Sequence, residues 1–341
     1  MSKEHPKRIL VVRFGAIGDI ILTLPAISAL KKIWPSVHIT YLTKEQFSGL
    51  VEPQSCVDEV LVLKPNESIQ SLRQKVADAG IDGIIDLHVQ LRSKALRSFN
   101  SIPTLGAKTP RSLWESGSVR LGWALHQPKS QIVEDHHRVI DTVVGQKVPR
   151  EKIQFEVSPA QKSAARERLL SIGFNFEQKT LGISPGANWF TKRWPTEKFA
   201  EIAKRARAEG FQILALGAPA EEPLAREILS HVKVLSIFDA PIGEIGALIQ
   251  HTSLYIANDS GPMHIARGLG IPTVAIFGST SPEQFKFETN QYVYKKQACS
   301  PCHFYGRKSC PKEHLDCLTS IEVDDVWNAL KSLSKGLSEI Q

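Results

Sequence analysis

Three stretches of the 341-residue chain carry residues whose types and spacing suit chemistry on a phosphorylated substrate. The first is FGAIGDIILTLPA, Phe14 to Ala26, where Gly15 and Gly18 let the chain turn tightly against a ligand and Asp19 follows at a helix start. Asp19 is a candidate for a catalytic role. The competing account is a first-turn acid stabilised by the helix dipole, and the two coexist, although the dipole favours the ionised form and weakens a base. The glycines read G-x-x-G, not G-x-G-x-x-G, and no acid ends the next strand near Tyr41 to Thr43, so a dinucleotide fingerprint is absent.

The second stretch is SPGANWFTKRWP, Ser184 to Pro195. Small, turn-forming residues after a strand offer backbone N–H groups to an anion, and Lys192 supplies a charge. A solvent lysine in a loop is the alternative. The third is IANDSGPMHIARGLG, in which a strand ends at Asn258-Asp259-Ser260-Gly261 and a helix opens at Pro262. Asp259 or Ser260 can cap that helix, its first N–H groups make an anion site, and His264 sits in its first turn. A cap alone would explain Asp259 and Ser260. Two phosphate-friendly loops in one half of the chain fit a nucleoside diphosphate.

Four of the five cysteines, Cys299, Cys302, Cys310 and Cys317, fall close together, opening with C-x2-C. That spacing suits a tetrahedral sulfur site for a structural zinc or iron, with His303 and His314 as substitutes and free thiols as the alternative. Cys56 stands alone and reads as packing.

The elements that must position these residues alternate short apolar runs with amphipathic helices, twice over. Ile9 to Phe14 reads as a buried strand, and PAISALKKIW as a helix with Leu24, Ile27, Leu30 and Trp34 on one face, stopped by Pro35. HITYLT, DEVLVL, a helix from Ile69 to Ala79 and DGIIDLH follow. Residues 111–150 are less regular, apart from the helix HHRVIDTVVGQ. The second half repeats the plan from KTLGISPG through QILALG, VLSI, LYIAND and TVAIFG. Strands separated by helices predict two parallel, doubly wound α/β domains, with ligands beyond the carboxyl ends of the strands in a cleft between them. The expected boundaries are 1–158 for an acceptor domain and 159–322 for a nucleotide-sugar domain, with the helix of 323–341 packing back on the first.

Composition is ordinarily globular, 42% hydrophobic and 23% charged, and no apolar run is long enough to span a membrane. The opening residues are a strand and turn rather than a signal peptide, so a cytoplasmic location is expected. A net charge of +7 favours anionic partners such as nucleotides, phosphorylated lipids or a membrane surface. No dense Lys/Arg arm or nucleic-acid signature accompanies it, so nucleic acid is not an expected partner.

G-x-x-G-D-x-x-x-x-x-P-A, D-L-H-x-Q-x-R-S at Asp86 to Ser93, T-K-R-W-P and N-D-S-G-P-M-H, in this order along the chain, resemble glycosyltransferase family 9, the ADP-heptose:lipopolysaccharide heptosyltransferases. The resemblance implies a GT-B fold, two Rossmann-like domains facing each other across a cleft. It also implies an inverting transfer of heptose from ADP-heptose to the lipid A inner core, at peripheral contact with the cytoplasmic face of the inner membrane, with no cofactor required for catalysis. Asp19 matches the general base. Lys192 matches the residue on the donor phosphates, with Ser184, Gly186 and Thr191 beside it as donor-binding candidates. Asp259, Ser260, Gly261 and His264 match the segment holding the diphosphate and donor sugar. Glu221 or Glu222 is expected at the ribose hydroxyls, Glu222 also reading as an exposed helix acid. Arg92, Lys94 and Arg97 are candidates for acceptor anions, a solvated helix face being the alternative. A cysteine-rich tail recurs in part of the family, some members holding iron there. The sequence leaves open another nucleotide sugar, another acceptor such as a protein, a non-catalytic nucleotide-binding protein or an oxidoreductase.

Overall fold

The computed structural model describes residues 5–98, 102–108, 131–287 and 290–338. Part of the segment expected to be irregular, 109–130, thus lies outside the described residues. The chain divides into two compact units, with the division falling between Glu156 and Val157.

The first unit is built on a parallel sheet of β1 (Arg8–Val12), β2 (His38–Lys44), β3 (Glu59–Leu63), β4 (Gly83–Asp86) and β5 (Thr104–Ala107), in the order β3-β2-β1-β4-β5. The apolar run of β1 is fully enclosed, Ile9 to Val12 being 0% exposed, as a central parallel strand covered on both faces requires. The expected helix after β1 spans Leu24–Ile33 and ends before Pro35, while the expected turn already contains a short helix, Ile17–Ile21. Ile69–Asp78 forms a helix capped by Ser68, whose hydroxyl accepts from the Ser71 N–H. Strand order reverses between β1 and β4, so their carboxyl ends flank the crevice in which such sheets bind ligands.

The second unit opens with the helix Pro159–Ser171, which Ser158 and Gln161 begin as a reciprocal capping box. Its parallel sheet comprises β6 (Thr180–Ser184), β7 (Gln212–Leu216), β8 (Leu235–Ile237), β9 (Leu254–Asn258), β10 (Thr273–Phe277) and β11 (Gln291–Tyr294), ordered β11-β10-β9-β6-β7-β8. Here the reversal lies between β6 and β9, and the two phosphate-friendly loops leave those two strands. The doubly wound α/β class expected from the alternating pattern is what both sheets form.

One expectation is corrected. The helix Val323–Ser338 packs on the second sheet, not back on the first domain. Val326 and Leu330 join the core formed by Leu181, Ile183, Val274 and Ile276, with Trp327 and Leu333 against it. Ion pairs from Asp324 to Arg205 and from Asp325 to Lys295, each 2.5 Å, fix its first turn there. The apolar face is covered by the nearest open side of its own sheet. No helix among the described residues is long and apolar enough to cross a membrane.

Candidate functional site

In the first unit the crevice residues are organised by a buried cation. Arg13 directly follows the apolar strand β1 and is only 8% exposed. A guanidinium taken out of water needs a carboxylate and further acceptors. It donates to the carbonyls of Gly15 (3.1 Å) and Leu87 (2.7 Å) and forms an ion pair with Asp19. Asp19 is the third residue of the helix Ile17–Ile21, and its Oδ2, the oxygen paired with Arg13, also accepts from the Ala16 N–H at 3.4 Å. Both contacts run through Oδ2. Gly15 is required by its backbone, φ +141°, and by the Phe47 ring, which a Cβ there would strike.

The D-L-H turn is bound to the same cation. Asp86, 0% exposed at the end of β4, accepts the N–H groups of His88 and Val89 at 2.9 Å each. His88 packs edge-on to Phe14, with ring centroids 4.9 Å apart. Burial, then the positive charge of Arg13, lowers its pKa to about 4, so the imidazole is neutral near pH 7. Its Nδ1 is buried without a hydrogen-bond partner among the described residues. His88 lines a cavity of about 580 Å³ together with Lys44, Gln90, Arg92 and Lys94.

The three basic residues expected at an acceptor therefore separate. Arg92 and Lys94 line this cavity, Arg92 also donating to the Glu67 carbonyl. Arg97 does not line it: its Nε lies 2.9 Å from the buried carboxylate of Asp86. Arg97 neutralises an interior charge rather than presenting a free guanidinium to the cavity.

In the second unit Lys192 and Asp259 form a close pair, Nζ to Oδ2 2.6 Å, with side chains 13% and 5% exposed. Burial would push the Asp259 carboxyl up, but the Lys192 charge and hydrogen bond, the Thr280 hydroxyl at 2.6 Å and His264 hold it below its ordinary value. Ser260 stands at the N-cap of the helix Gly261–Gly268 without using its side chain as a cap. Its Oγ is buried with no hydrogen-bond partner among the described residues. His264, 4% exposed, sits in the first turn with its ring 4.8 Å from that of Phe285.

Asn258, which sequence reasoning placed only as the end of a strand, joins the two loops. Its Oδ1 accepts the Trp194 N–H (3.0 Å) and its amide donates to the Pro185 carbonyl (2.8 Å). The available signal was an amide closing a fully buried strand, a polar group that must find partners there. Ser184 lies inside the fold, with hydrogen bonds to the Leu216 carbonyl and Tyr255 hydroxyl. Gly186 lies against the Glu221 carboxyl, which a Cβ there would strike. Glu221 also accepts from the Ala218 N–H at 3.0 Å, whereas Glu222 is an exposed helix acid paired with Arg226. Of the two acids, Glu221 is the one at the carboxyl ends of β6 and β7.

Thr191 lies elsewhere. It is 1% exposed and lines a cavity of about 250 Å³ with Ser279 and all four clustered cysteines, Cys299, Cys302, Cys310 and Cys317. The four cysteines thus line one cavity. Among the described residues, however, no group of three His, Cys, Asp or Glu is arranged to hold a metal ion, so the expected zinc or iron set is not formed. Cys317 belongs to the hydrophobic core, where burial pushes its thiol up to about 12, and Cys299 makes a 3.8 Å contact with His314 Nε2.

Several known proteins resemble this chain in sequence or in fold. Over 168 residues the chain is 36% identical to lipooligosaccharide heptosyltransferase 2 of Campylobacter jejuni, covering 46% of this chain and about half, 52%, of that protein. The fold is similar to that of a glycosyl transferase family 9 structure from Veillonella parvula, TM-score 0.78 at 22% identity over 96% of this chain and 97% of that one. It is also similar to the Escherichia coli ADP-heptose LPS heptosyltransferase II, TM-score 0.76 at 19% identity over 98% and 100% of the two chains. These likenesses carry the GT-B fold expected from the sequence motifs. The model of "Glycosyltransferase family 9 (heptosyltransferase)" matches residues 69–314, more than half of the chain, and the chain belongs to that family.

Proposed function

We propose that the protein is an inverting glycosyltransferase that moves heptose from ADP-heptose to a hydroxyl of the lipopolysaccharide inner core. The observation that carries this reading is the Lys192–Asp259 pair at the β6/β9 reversal, beside a helix N-terminus whose Ser260 hydroxyl lacks a partner among the described residues. An ammonium, a set of N–H groups and an orphaned hydroxyl are the groups a diphosphate needs.

In the proposed reaction the acceptor oxygen forms a bond to the anomeric carbon as the bond from that carbon to the diphosphate oxygen breaks. ADP leaves with the electron pair, and Lys192 with the N–H groups at the start of Gly261–Gly268 stabilises the charge. Asp19 takes the acceptor proton through Oδ1, while Arg13 holds Oδ2. Glu221 is assigned to the ribose hydroxyls and His264 to the donor sugar. The Lys192 ammonium and the N–H dipoles at this helix start together offset the charge on the leaving diphosphate. The cavity lined by Lys44, His88, Arg92 and Lys94 is assigned to acceptor anions. The neighbouring Leu91, 88% exposed, fits peripheral contact with the cytoplasmic face of the inner membrane.

Calorimetry with ADP, UDP, GDP and NAD tests the donor: ADP is expected to bind best, and preference for UDP would overturn the heptose assignment. Transfer from ADP-heptose to truncated core acceptors, read by mass spectrometry, tests the rest.

A further inference from the structure

The segment that carries Lys192 is a single three-residue 3-10 turn, Phe190–Lys192, too short to hold its own geometry. Its support comes from the cysteine-bearing loop, more than a hundred residues later. The Thr191 N–H donates to the Arg307 carbonyl at 3.2 Å, and the Arg307 N–H donates back to Thr191 Oγ1 at 2.8 Å. The same hydroxyl lies 3.0 Å from Ser279 Oγ and 3.3 Å from the Arg307 carbonyl. One hydroxyl has one proton and two lone pairs, so these partners leave it nothing to offer a phosphate.

The circuit closes through Ser279. Its carbonyl accepts the N–H groups of Cys302 (3.0 Å) and His303 (3.1 Å), and its neighbour Thr280 donates to Asp259, the partner of Lys192. From the other side Gly306, φ +96°, presses on Trp189, which a Cβ at Gly306 would approach to 2.6 Å.

We propose that Thr191 is a positioning residue rather than a donor ligand, and that through it the loop of residues 299–317 sets where the Lys192 ammonium stands relative to Asp259. This rests on the donor reading above, deepening it from which residues touch the diphosphate to what holds them in place. Thr191→Val removes the hydroxyl at nearly constant size and strips Arg307 and Ser279 of their shared partner. The phosphate-dependent part of binding should then weaken, and the nucleoside-dependent part should not.

The test is calorimetry on the full chain with ADP and with AMP, which lacks the second phosphate. Wild-type protein is expected to prefer ADP. Thr191→Val should weaken ADP binding about tenfold while leaving AMP within about twofold, and Thr191→Ser should restore it. Gly306→Ala, which touches no ligand group, should reproduce the loss from the loop side. In a Lys192→Ala background Thr191→Val should add nothing, because the group it positions is gone. Unchanged ADP affinity in both Thr191→Val and Gly306→Ala, or an equal loss for ADP and AMP, overturns the positioning role. A wild type that binds neither nucleotide overturns the donor reading itself, which keeps the two failures distinct.

Discussion

Lys192 Nζ and Asp259 Oδ2 stand 2.6 Å apart, each side chain almost closed to solvent, at the two strands between which the second sheet reverses its order. In the proposed donor complex a diphosphate would meet an ammonium already oriented by a carboxylate and share it. Lys192→Ala should therefore weaken ADP binding by about 1.5–3 kcal/mol, the range for hydrogen bonds to charged groups. Titration calorimetry measures this, and an unchanged affinity would remove Lys192 from the donor site.

Asp19 lies in the other unit, so its loss should separate chemistry from nucleotide binding. Asp19→Asn is expected to slow transfer about 10²–10⁴-fold, the usual worth of a general base, with ADP affinity unchanged. Single-turnover transfer and calorimetry on the same preparation check both halves. Loss of both properties together would make Asp19 structural.

Ser260 offers a different separation. Its buried hydroxyl has no partner among the described residues, so Ser260→Ala should leave thermal stability unchanged or slightly raised while weakening ADP binding several-fold. A drop in Tm with ADP binding intact would contradict this.

His88 should titrate near pH 4, well below its ordinary 6.5, because burial and then Arg13 disfavour the imidazolium. Between those values the unfolded chain binds the proton and the folded chain does not. The sign follows: the stability associated with neutral His88 is complete above about pH 6.5 and is lost as pH falls towards about 4. An NMR titration of the imidazole reads the value directly, and Arg13→Gln should raise it. A midpoint near 6.5 in the native protein would rule out the buried environment.

Arg97 and Asp86 predict a stability effect where Arg92 and Lys94 predict a binding effect. Asp86→Ala orphans Arg97 and the N–H groups of His88 and Val89, and should cost about 3–5 kcal/mol in denaturant unfolding. Arg92→Ala and Lys94→Ala should instead raise the acceptor KM with little change in unfolding. A reversed pattern would place the acceptor face on Arg97.

The sequence by itself determined the architecture and the loops that matter. Enclosed apolar runs such as ILVV and VAIF, separated by helices with 3.6-residue periodicity, leave two parallel doubly wound sheets as the compact solution, and their order sends SPGANWFTKRWP and NDSGPMH out of adjacent strands. Local pattern also marked Asp19, Lys192 and Asp259, because turn glycines and helix starts are written in neighbouring residues. Tertiary structure alone decided which polar groups face one another. Arg97 and Thr191 read as acceptor- and donor-binding candidates and Arg13 drew no role at all, yet each is committed to partners far along the chain: Asp86, Arg307 and Leu87. The same holds for the short edge strands Thr104–Ala107 and Gln291–Tyr294, and for the sheet on which Val323–Ser338 packs. Desolvating a charge or hydroxyl is repaid only by a specific acceptor in space, and no local periodicity records which one that is.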